Sequence, residues 1–247
     1  MRLWRSVWCL VLVTGMCCAE STFTVSVTSA GGDRAADAPR IYIYHTHTLE
    51  AYTPTASASY MPTETWRTLD AGHNVLRVGE ELASRLEKAG FLVYHDRTDY
   101  ERPDLSVAYA RALEGLEKTL NDPYDLYIDI HRDAYSEGNG KNSIEADGLA
   151  YARVLFLVGK GSGQTGVDEK PDWQQNGNIA KRLSDSMNDL VPDISRGISY
   201  KSGRYNQHIA TGCLLVEAGN NRNTLEEALN TMGPLCMAVC RYFDALD

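Results

Sequence analysis

The chain has 247 residues, of which 43% are apolar and 23% are charged. These proportions are those of an ordinary globular protein and exclude collagen-like, coiled-coil and disordered classes. The 24 Lys and Arg residues stand against 33 Asp and Glu residues, which gives a net charge of −9. A chain this acidic lacks the basic surface of a nucleic-acid-binding protein, so we expect no nucleic-acid partner.

Residues 1–19 have the features of a secretory signal peptide. Arg2 and Arg5 precede an apolar run from Val7 to about Cys17, and a small residue, Ala19, follows the run. The run is shorter than the ~20 apolar residues that span a membrane, although an uncleaved signal anchor stays open as an alternative. We therefore expect an exported, extracytoplasmic protein, in the cell wall or at the outer face of the membrane.

The rest of the chain alternates between strand-like and helix-like segments after a short tether. Residues 20–38 are small and polar without a sustained apolar period, and they predict a flexible linker. The predicted strands are Arg40–Tyr44, Phe91–Tyr94, Asp125–Ile130, Tyr151–Val158 and Cys213–Glu217, and the predicted helices are Asn74–Ala89, Leu105–Leu120, Asn178–Leu190 and Thr224 to about Tyr242. This order predicts a single α/β domain over residues 39–247, with a mostly parallel or mixed twisted sheet flanked by helices.

Polar side chains follow three of the predicted strands. His45 and His47 follow the first strand, His131 follows the third, and Glu217 ends a late strand. The carboxyl ends of parallel strands meet at one edge of a sheet, where ligands bind. Histidines and a carboxylate at one edge are a plausible zinc site, and a remaining carboxylate could act as the general base for a zinc-bound water.

Each of these patterns also has a purely structural interpretation. A histidine at a strand end can be a hydrogen-bonded surface residue. Glu217 can form a salt bridge with Arg132 or Arg222 instead of acting as a base. The residues alone leave these alternatives open.

Four segments carry a resemblance to a known family. In chain order they read IYIYHTHTLEAY, LDAGHNVLRVGEEL, DIHRD and LLVEAGNNRNTLEEA. Together they resemble the stage II sporulation protein P family, from about residue 40 to residue 245. That family is similar to the zinc-dependent N-acetylmuramoyl-L-alanine amidases of the amidase_3 type. The resemblance implies an amidase_3-like fold, a Zn²⁺ cofactor, and hydrolysis of the peptidoglycan amide between N-acetylmuramic acid and L-alanine in cell-wall remodelling during sporulation.

The resemblance also implies a set of metal ligands. His131 matches the second histidine of the amidases, and the first ligand is His45 or His47. Asp70 stands in the place of the amidases' glutamate when Asn74 is aligned with their asparagine. Two further residues, His73 and Glu50, compete with Asp70 for this position, and Glu50 forms an HxxE motif with His47.

The remaining roles concern the reaction itself. Glu217 matches the catalytic glutamate, which takes a proton from water and passes it to the leaving amine. Arg132 is expected to steady the carbonyl oxygen or a substrate carboxylate, because it lies beside His131. Asp129 and Asp133 are expected to orient a ligand histidine through its second ring nitrogen.

Two other functions stay open. A metallo-carboxypeptidase or endopeptidase would cut stem peptides using His47 and Glu50, and a non-catalytic cell-wall-binding module would carry vestigial histidines. The expected partners are peptidoglycan glycan strands with stem peptides. The resemblance adds stage II sporulation protein D and a membrane anchor protein.

Overall fold

The structure, a computed structural model, describes residues 38–135, 142–161 and 170–246. The predicted signal peptide and nearly all of the predicted tether lie outside the described residues. Within the described part of the chain, no helix is both long and apolar enough to cross a membrane.

The described residues form a central sheet, a separate hairpin and four α-helices. The sheet strands are β1 (Arg40–Tyr44), β2 (Leu92–His95), β3 (Leu126–Asp133), β6 (Val154–Gly159), β7 (Ser195–Lys201) and β8 (Cys213–Asn220). The hairpin strands are β4 (Ser143–Ala146) and β5 (Leu149–Ala152). The helices are α1 (Val75–Lys88), α2 (Ala108–Glu117), α3 (Trp173–Leu190) and α4 (Leu225–Asp244).

The sheet has the strand order β2-β1-β3-β8-β6-β7. All neighbours in this order pair in parallel except β6 and β8, which are antiparallel. The predicted mixed sheet flanked by helices is confirmed. Because β1, β3 and β8 are adjacent and parallel, their carboxyl ends meet at one edge, where ligand sites of α/β folds form.

One face of the sheet carries the main apolar core. Ile43, Ile128 and Val216 lie on this face and are fully buried with apolar residues of α1, α3 and α4. Full burial of each such side chain contributes about 1.5–3 kcal/mol to folding. At the start of α1 the Asn74 side chain accepts a hydrogen bond from the Leu76 N–H at 3.0 Å, and this cap satisfies one of the free N–H groups of the first turn.

The opposite face is narrower and more polar. Tyr44, Tyr127 and Cys213 form a second buried cluster there with Leu116 of α2. Further along the same strands, this face carries Asp129, His131 and Glu217, since alternate strand residues share a face. The polar and ionisable side chains therefore lie on the face of the sheet that α2 only partly covers.

The second half of the chain differs from the sequence prediction. The single strand predicted over Tyr151–Val158 is wrong, because β5 and β6 divide at Arg153. The β4–β5 hairpin turns at Asp147 and Gly148, both with positive φ, and this Asp-Gly signal was present in the sequence. Strand β7 was not predicted, because its sequence SRGISYK lacks a clear apolar alternation and contains Gly197 at φ 86°.

Candidate metal centre

The strand register places His131 directly beside Glu217. The two residues are paired between β3 and β8, so their side chains leave the same edge of the sheet on the same face. His131 is only 3% exposed. The two residues that the sequence predicts at one edge of the sheet, His131 and Glu217, thus lie side by side in the structure.

The loop after β1 brings a second histidine and a carboxylate to this edge. The ring centroids of His47 and His131 are 5.2 Å apart. Glu50 Oε2 lies 3.5 Å from His131 Nδ1 and accepts a hydrogen bond from the Arg132 N–H at 3.0 Å. Two ligands held at ~2.0–2.1 Å from one tetrahedral zinc are about 3.3 Å apart, so the Glu50–His131 separation is close to that of a ligand pair.

A buried carboxylate supports the other nitrogen of His131. Asp129 Oδ1 lies 2.9 Å from His131 Nε2, and Asp129 is fully buried. Thr46 holds this carboxylate through its N–H at 2.9 Å and its hydroxyl at 2.6 Å. Such carboxylate support of a histidine is common around protein metals, and the orienting role predicted for Asp129 agrees with this geometry.

The charges at this edge act strongly on one another. Burial raises the pKa of Glu217 to about 8; His131 opposes this shift, and the carboxylates of Glu50, Asp133 and Asp129 add to it. Burial also opposes ionisation of Glu50, but His131 and Arg132 outweigh burial and lower the pKa of Glu50 to about 2. Burial and the neighbouring carboxylates thus make Glu217 a stronger proton acceptor than an exposed glutamate.

The donor set fits a divalent cation. Buried atoms His131 Nε2 and Glu217 Oε2 have no hydrogen-bond partner in the described structure; the 2.9 Å contact of His131 Nε2 with Asp129 is out of line for a hydrogen bond. Two imidazoles and carboxylates are ligands that zinc uses. Nevertheless, no three His, Cys, Asp or Glu side chains among the described residues stand as a preformed metal-binding group.

Arg132 is used differently from the sequence prediction. Its Nε donates to the Ala51 carbonyl at 2.9 Å and its Nη2 donates to the Trp66 carbonyl at 3.0 Å. The side chain is buried. Its guanidinium therefore fixes the loop that follows β1, and its backbone N–H donates to Glu50. Arg222, the other arginine considered as a partner of Glu217, lies over the ring of Tyr135.

The structure places His45 in a different environment. Its Nδ1 donates to the Ile130 carbonyl at 2.9 Å, and its Nε2 lies 2.9 Å from His95 Nε2. Both ring nitrogens are thus engaged on the α1 side of the sheet. Burial, followed by the charge of His95, lowers the pKa of His45 to about 3, so the ring is neutral.

Asp70 and His73 pair with each other instead of joining His47 and His131. Asp70 Oδ2 lies 2.8 Å from His73 Nδ1, and Asp70 Oδ1 accepts the Gly72 N–H at 2.9 Å. The Asp70 side chain is 50% exposed. The carboxylate that lies near His131 is that of Glu50, which the HxxE spacing had marked as a competitor of Asp70.

Other residues at the site carried no clear signal in the sequence. The ring of Tyr109 lies edge-on to the ring of His47 with centroids 5.4 Å apart, and Glu101 Oε1 lies 3.2 Å from His47 Nδ1. Tyr109 lies in α2, where its helical apolar spacing is that of an ordinary packing residue. Asp133, predicted to orient a histidine, instead pairs with Arg196 at 2.6 Å.

The fold is shared with solved amidase structures. An N-acetylmuramoyl-L-alanine amidase from Clostridium difficile 630 has a TM-score of 0.53 and 16% identity, covering 85% of this chain and 98% of that one. The amidase AmiC2 of Nostoc punctiforme has a TM-score of 0.52 and 12% identity, covering 83% of this chain and 97% of that one. At these identities the likeness concerns the fold alone.

The sequence has a closer relative. Stage II sporulation protein P of Bacillus subtilis (strain 168) is 30% identical over 200 residues, which cover 76% of this chain and 47% of the relative. The chain thus matches about half the length of that protein. The family model of stage II sporulation protein P matches residues 20–239. The chain belongs to the stage II sporulation protein P family.

Proposed function

We propose that this chain is a zinc-dependent peptidoglycan hydrolase that cleaves the amide between N-acetylmuramic acid and L-alanine during sporulation. The observation that carries the proposal is the pairing of His131 with Glu217 on adjacent parallel strands, beside His47 and Glu50. Membership of a sporulation family and a fold shared with amidases support it. Action on peptidoglycan places the chain outside the cytoplasm.

The residues divide into a metal-holding set and a proton-transferring group. His47, Glu50 and His131 would hold the zinc, and the closeness of His47 and Glu50 to His131 supports these two residues over His45 and Asp70. A bound zinc supplies Lewis acidity that polarises the amide carbonyl and acidifies water. Glu217, whose Oε2 is buried without a partner in the described structure, takes the water proton and delivers it to the leaving amine.

Three neighbours keep these groups in place. Asp129 supports the His131 ring, and Thr46 holds Asp129 with two hydrogen bonds. Arg132 holds Glu50 through its N–H and fixes the loop backbone through its guanidinium. We assign Arg132 to this loop in preference to the substrate carbonyl, because its observed donors point to backbone oxygens.

The test is digestion of purified sacculi with zinc-loaded protein, with and without a chelator. We expect release of stem peptides that carry new L-alanine N-termini, and loss of this release with chelator. Joined glycan and peptide after digestion with zinc-replete protein would contradict the amidase assignment.

The same digestion separates the alternative functions. Cuts within the stem peptide, seen by mass analysis, would identify a metallopeptidase. Binding to sacculi without any cut, together with less than about a tenth of an equivalent of zinc after reconstitution, would identify a wall-binding module. The suggested protein partners, stage II sporulation protein D and a membrane anchor, stay predictions.

A further inference from the structure

A buried carboxylate, that of Glu101, lies against His47. Glu101, in the segment that follows β2, is 3% exposed, and its Oε1 lies 3.2 Å from His47 Nδ1. The two atoms are out of line for a hydrogen bond, so each is buried without a hydrogen-bond partner among the described residues. A small rotation of either side chain would align them, and burying both unpaired costs free energy.

The second oxygen of Glu101 is already occupied by donors. Arg67 Nη2 pairs with Glu101 Oε2, and the Leu49 N–H donates to the same oxygen at 3.3 Å. Arg111 Nη1 donates to the Arg102 carbonyl at 2.9 Å and so supports the segment from behind. Glu101 therefore has a fixed orientation that leaves Oε1 for His47.

An ionised carboxylate accepts hydrogen bonds and cannot donate them. Facing His47 Nδ1, it favours the neutral tautomer in which Nδ1 carries the proton, and it leaves the lone pair on Nε2. A metal-binding histidine needs this free lone pair. The choice of nitrogen at His47 is thus set by a residue 54 positions further along the chain.

We propose that Glu101 is a positioning residue that holds His47 as the Nδ1–H tautomer and presents Nε2 to the metal. The inference deepens the proposed function and rests on it for the identity of the metal. His131 differs from His47, since Asp129 Oδ1 lies 2.9 Å from its Nε2 and Glu50 Oε2 lies 3.5 Å from its Nδ1.

The decisive variant is Glu101→Gln, because the structure predicts which way the new amide points. Arg67 and the Leu49 N–H are both donors, so they claim the amide oxygen and turn the NH₂ group toward His47 Nδ1. A donor at Nδ1 requires Nδ1 to accept, which moves the proton to Nε2. We expect the variant to invert the tautomer and to weaken zinc binding by about 10- to 100-fold.

The matched control is Glu64→Gln. Glu64 contacts the same Arg67 at 3.7 Å, but its side chain is 74% exposed and lies on the surface. We expect the wild-type tautomer and the wild-type zinc affinity in this variant, since exposed pairs contribute little.

The readout is ¹⁵N NMR of histidine-labelled, metal-free protein, with His47 signals assigned by a His47→Gln variant. Spectra are recorded at about pH 8, above the ordinary histidine pKa of about 6.5. Nδ1–H in the wild type and Nε2–H in Glu101→Gln support the proposal. Nε2–H at His47 in the wild type overturns it, and this result does not depend on the Glu101→Gln variant.

Zinc titration of the wild type, Glu101→Gln and Glu64→Gln provides the second measurement. Equal zinc affinity in the wild type and a folded Glu101→Gln variant would also overturn the proposal. Because the tautomer is read without metal or substrate, its outcome is independent of the hydrolase assignment. A chain that shows the expected tautomers but cuts no sacculi would contradict the proposed function only.

Discussion

The two faces of the central sheet differ in the side chains that the same strands place on them. On the face packed by α1, α3 and α4, residues such as Ile43 and Ile128 are fully buried in apolar contacts. On the other face, the intervening positions of β3 carry Asp129 and His131. The same strands thus pack the main apolar core with one face and carry the polar side chains of the candidate site on the other. This division follows from the alternation of side chains along a strand.

The contrast is sharpest between His45 and His47. His45 is fully buried, and Gly79 of α1 makes room for it, since a Cβ at Gly79 would lie 2.5 Å from His45 Nε2. His47 is 22% exposed in its side chain and lies beside His131 and Glu101. Two histidines separated by one residue therefore have different neighbours, so residue type and spacing alone do not predict which of them lies beside His131.

The largest effect on the hydrolysis rate is expected at Glu217, the proposed base on the polar face of the sheet. Replacement of Glu217 by Gln removes the proton acceptor and should lower the hydrolysis rate by about 10²- to 10⁴-fold. Zinc stoichiometry should be unchanged. The assay counts new L-alanine N-termini released from sacculi, with replacement of the exposed Glu145 of β4 by Gln as a control. A loss of less than tenfold would remove Glu217 from the role of base.

A second large effect is expected for His47→Ala. The variant loses one proposed ligand, so zinc affinity should fall by at least the 10- to 100-fold that supporting residues typically cost. Isothermal titration of the metal-free protein with zinc measures this change. Undiminished zinc binding in a folded His47→Ala chain would show that the cluster does not use this residue.

The companion variant His45→Ala should behave in the opposite way. It leaves the Ile130 carbonyl and His95 without their partner, and an unsatisfied buried group costs about 1–3 kcal/mol. We expect a lower urea midpoint with full zinc stoichiometry. If His45→Ala instead abolished zinc binding while staying folded, the distinction between the two histidines would be wrong.

A smaller and purely steric effect is expected at Gly79. The methyl group of Gly79→Ala would meet the buried ring of His45 and the half-buried ring of His95 at 2.5–2.7 Å. Overpacking of this kind costs about 1–3 kcal/mol. Gly233→Ala is the matched helical control, because only an Arg85 side-chain nitrogen at 3.4 Å is near it. Urea unfolding of both variants tests the difference, and equal stabilities would argue against a tight histidine pocket.

The smallest effect is a pH dependence at Asp96, remote from the metal centre. Burial opposes ionisation of Asp96, but hydrogen bonds from Thr98, Tyr100 and Tyr42 outweigh it and lower the pKa of this carboxyl. A folded-state pKa below the unfolded value contributes stability above the unfolded pKa. That contribution disappears as the pH falls through the folded pKa.

Thermal melts between about pH 5 and pH 2 therefore should show a shallower acid loss in Asp96→Asn than in the wild type. Asp185→Asn serves as the control, since Asp185 is 61% exposed and pairs only at the surface with Lys181. Identical acid slopes in the wild type and Asp96→Asn would contradict the assignment.

The fold was largely predictable because its signals are local. Apolar periods identified α1 and α4 and the buried strands β1, β3 and β8, and a capping box of Thr224 and Glu227 begins α4. Strand β7 was missed, since its pattern is interrupted by Gly197. The antiparallel direction of β6 depends on how distant segments pair, and no local period encodes it.

By itself, the sequence determined the α/β order of the domain, the edge at which polar residues gather, and the presence of His131 and Glu217 at that edge. Periodicity and strand-end position are properties of neighbouring residues, so they can be read along the chain. The tertiary structure alone decided that Glu50 and not Asp70 meets His131, that His45 is buried against His95, and that Glu101 faces His47. The chain turns after Tyr44, where strand alternation ends, and these contacts join residues up to 81 positions apart in sequence.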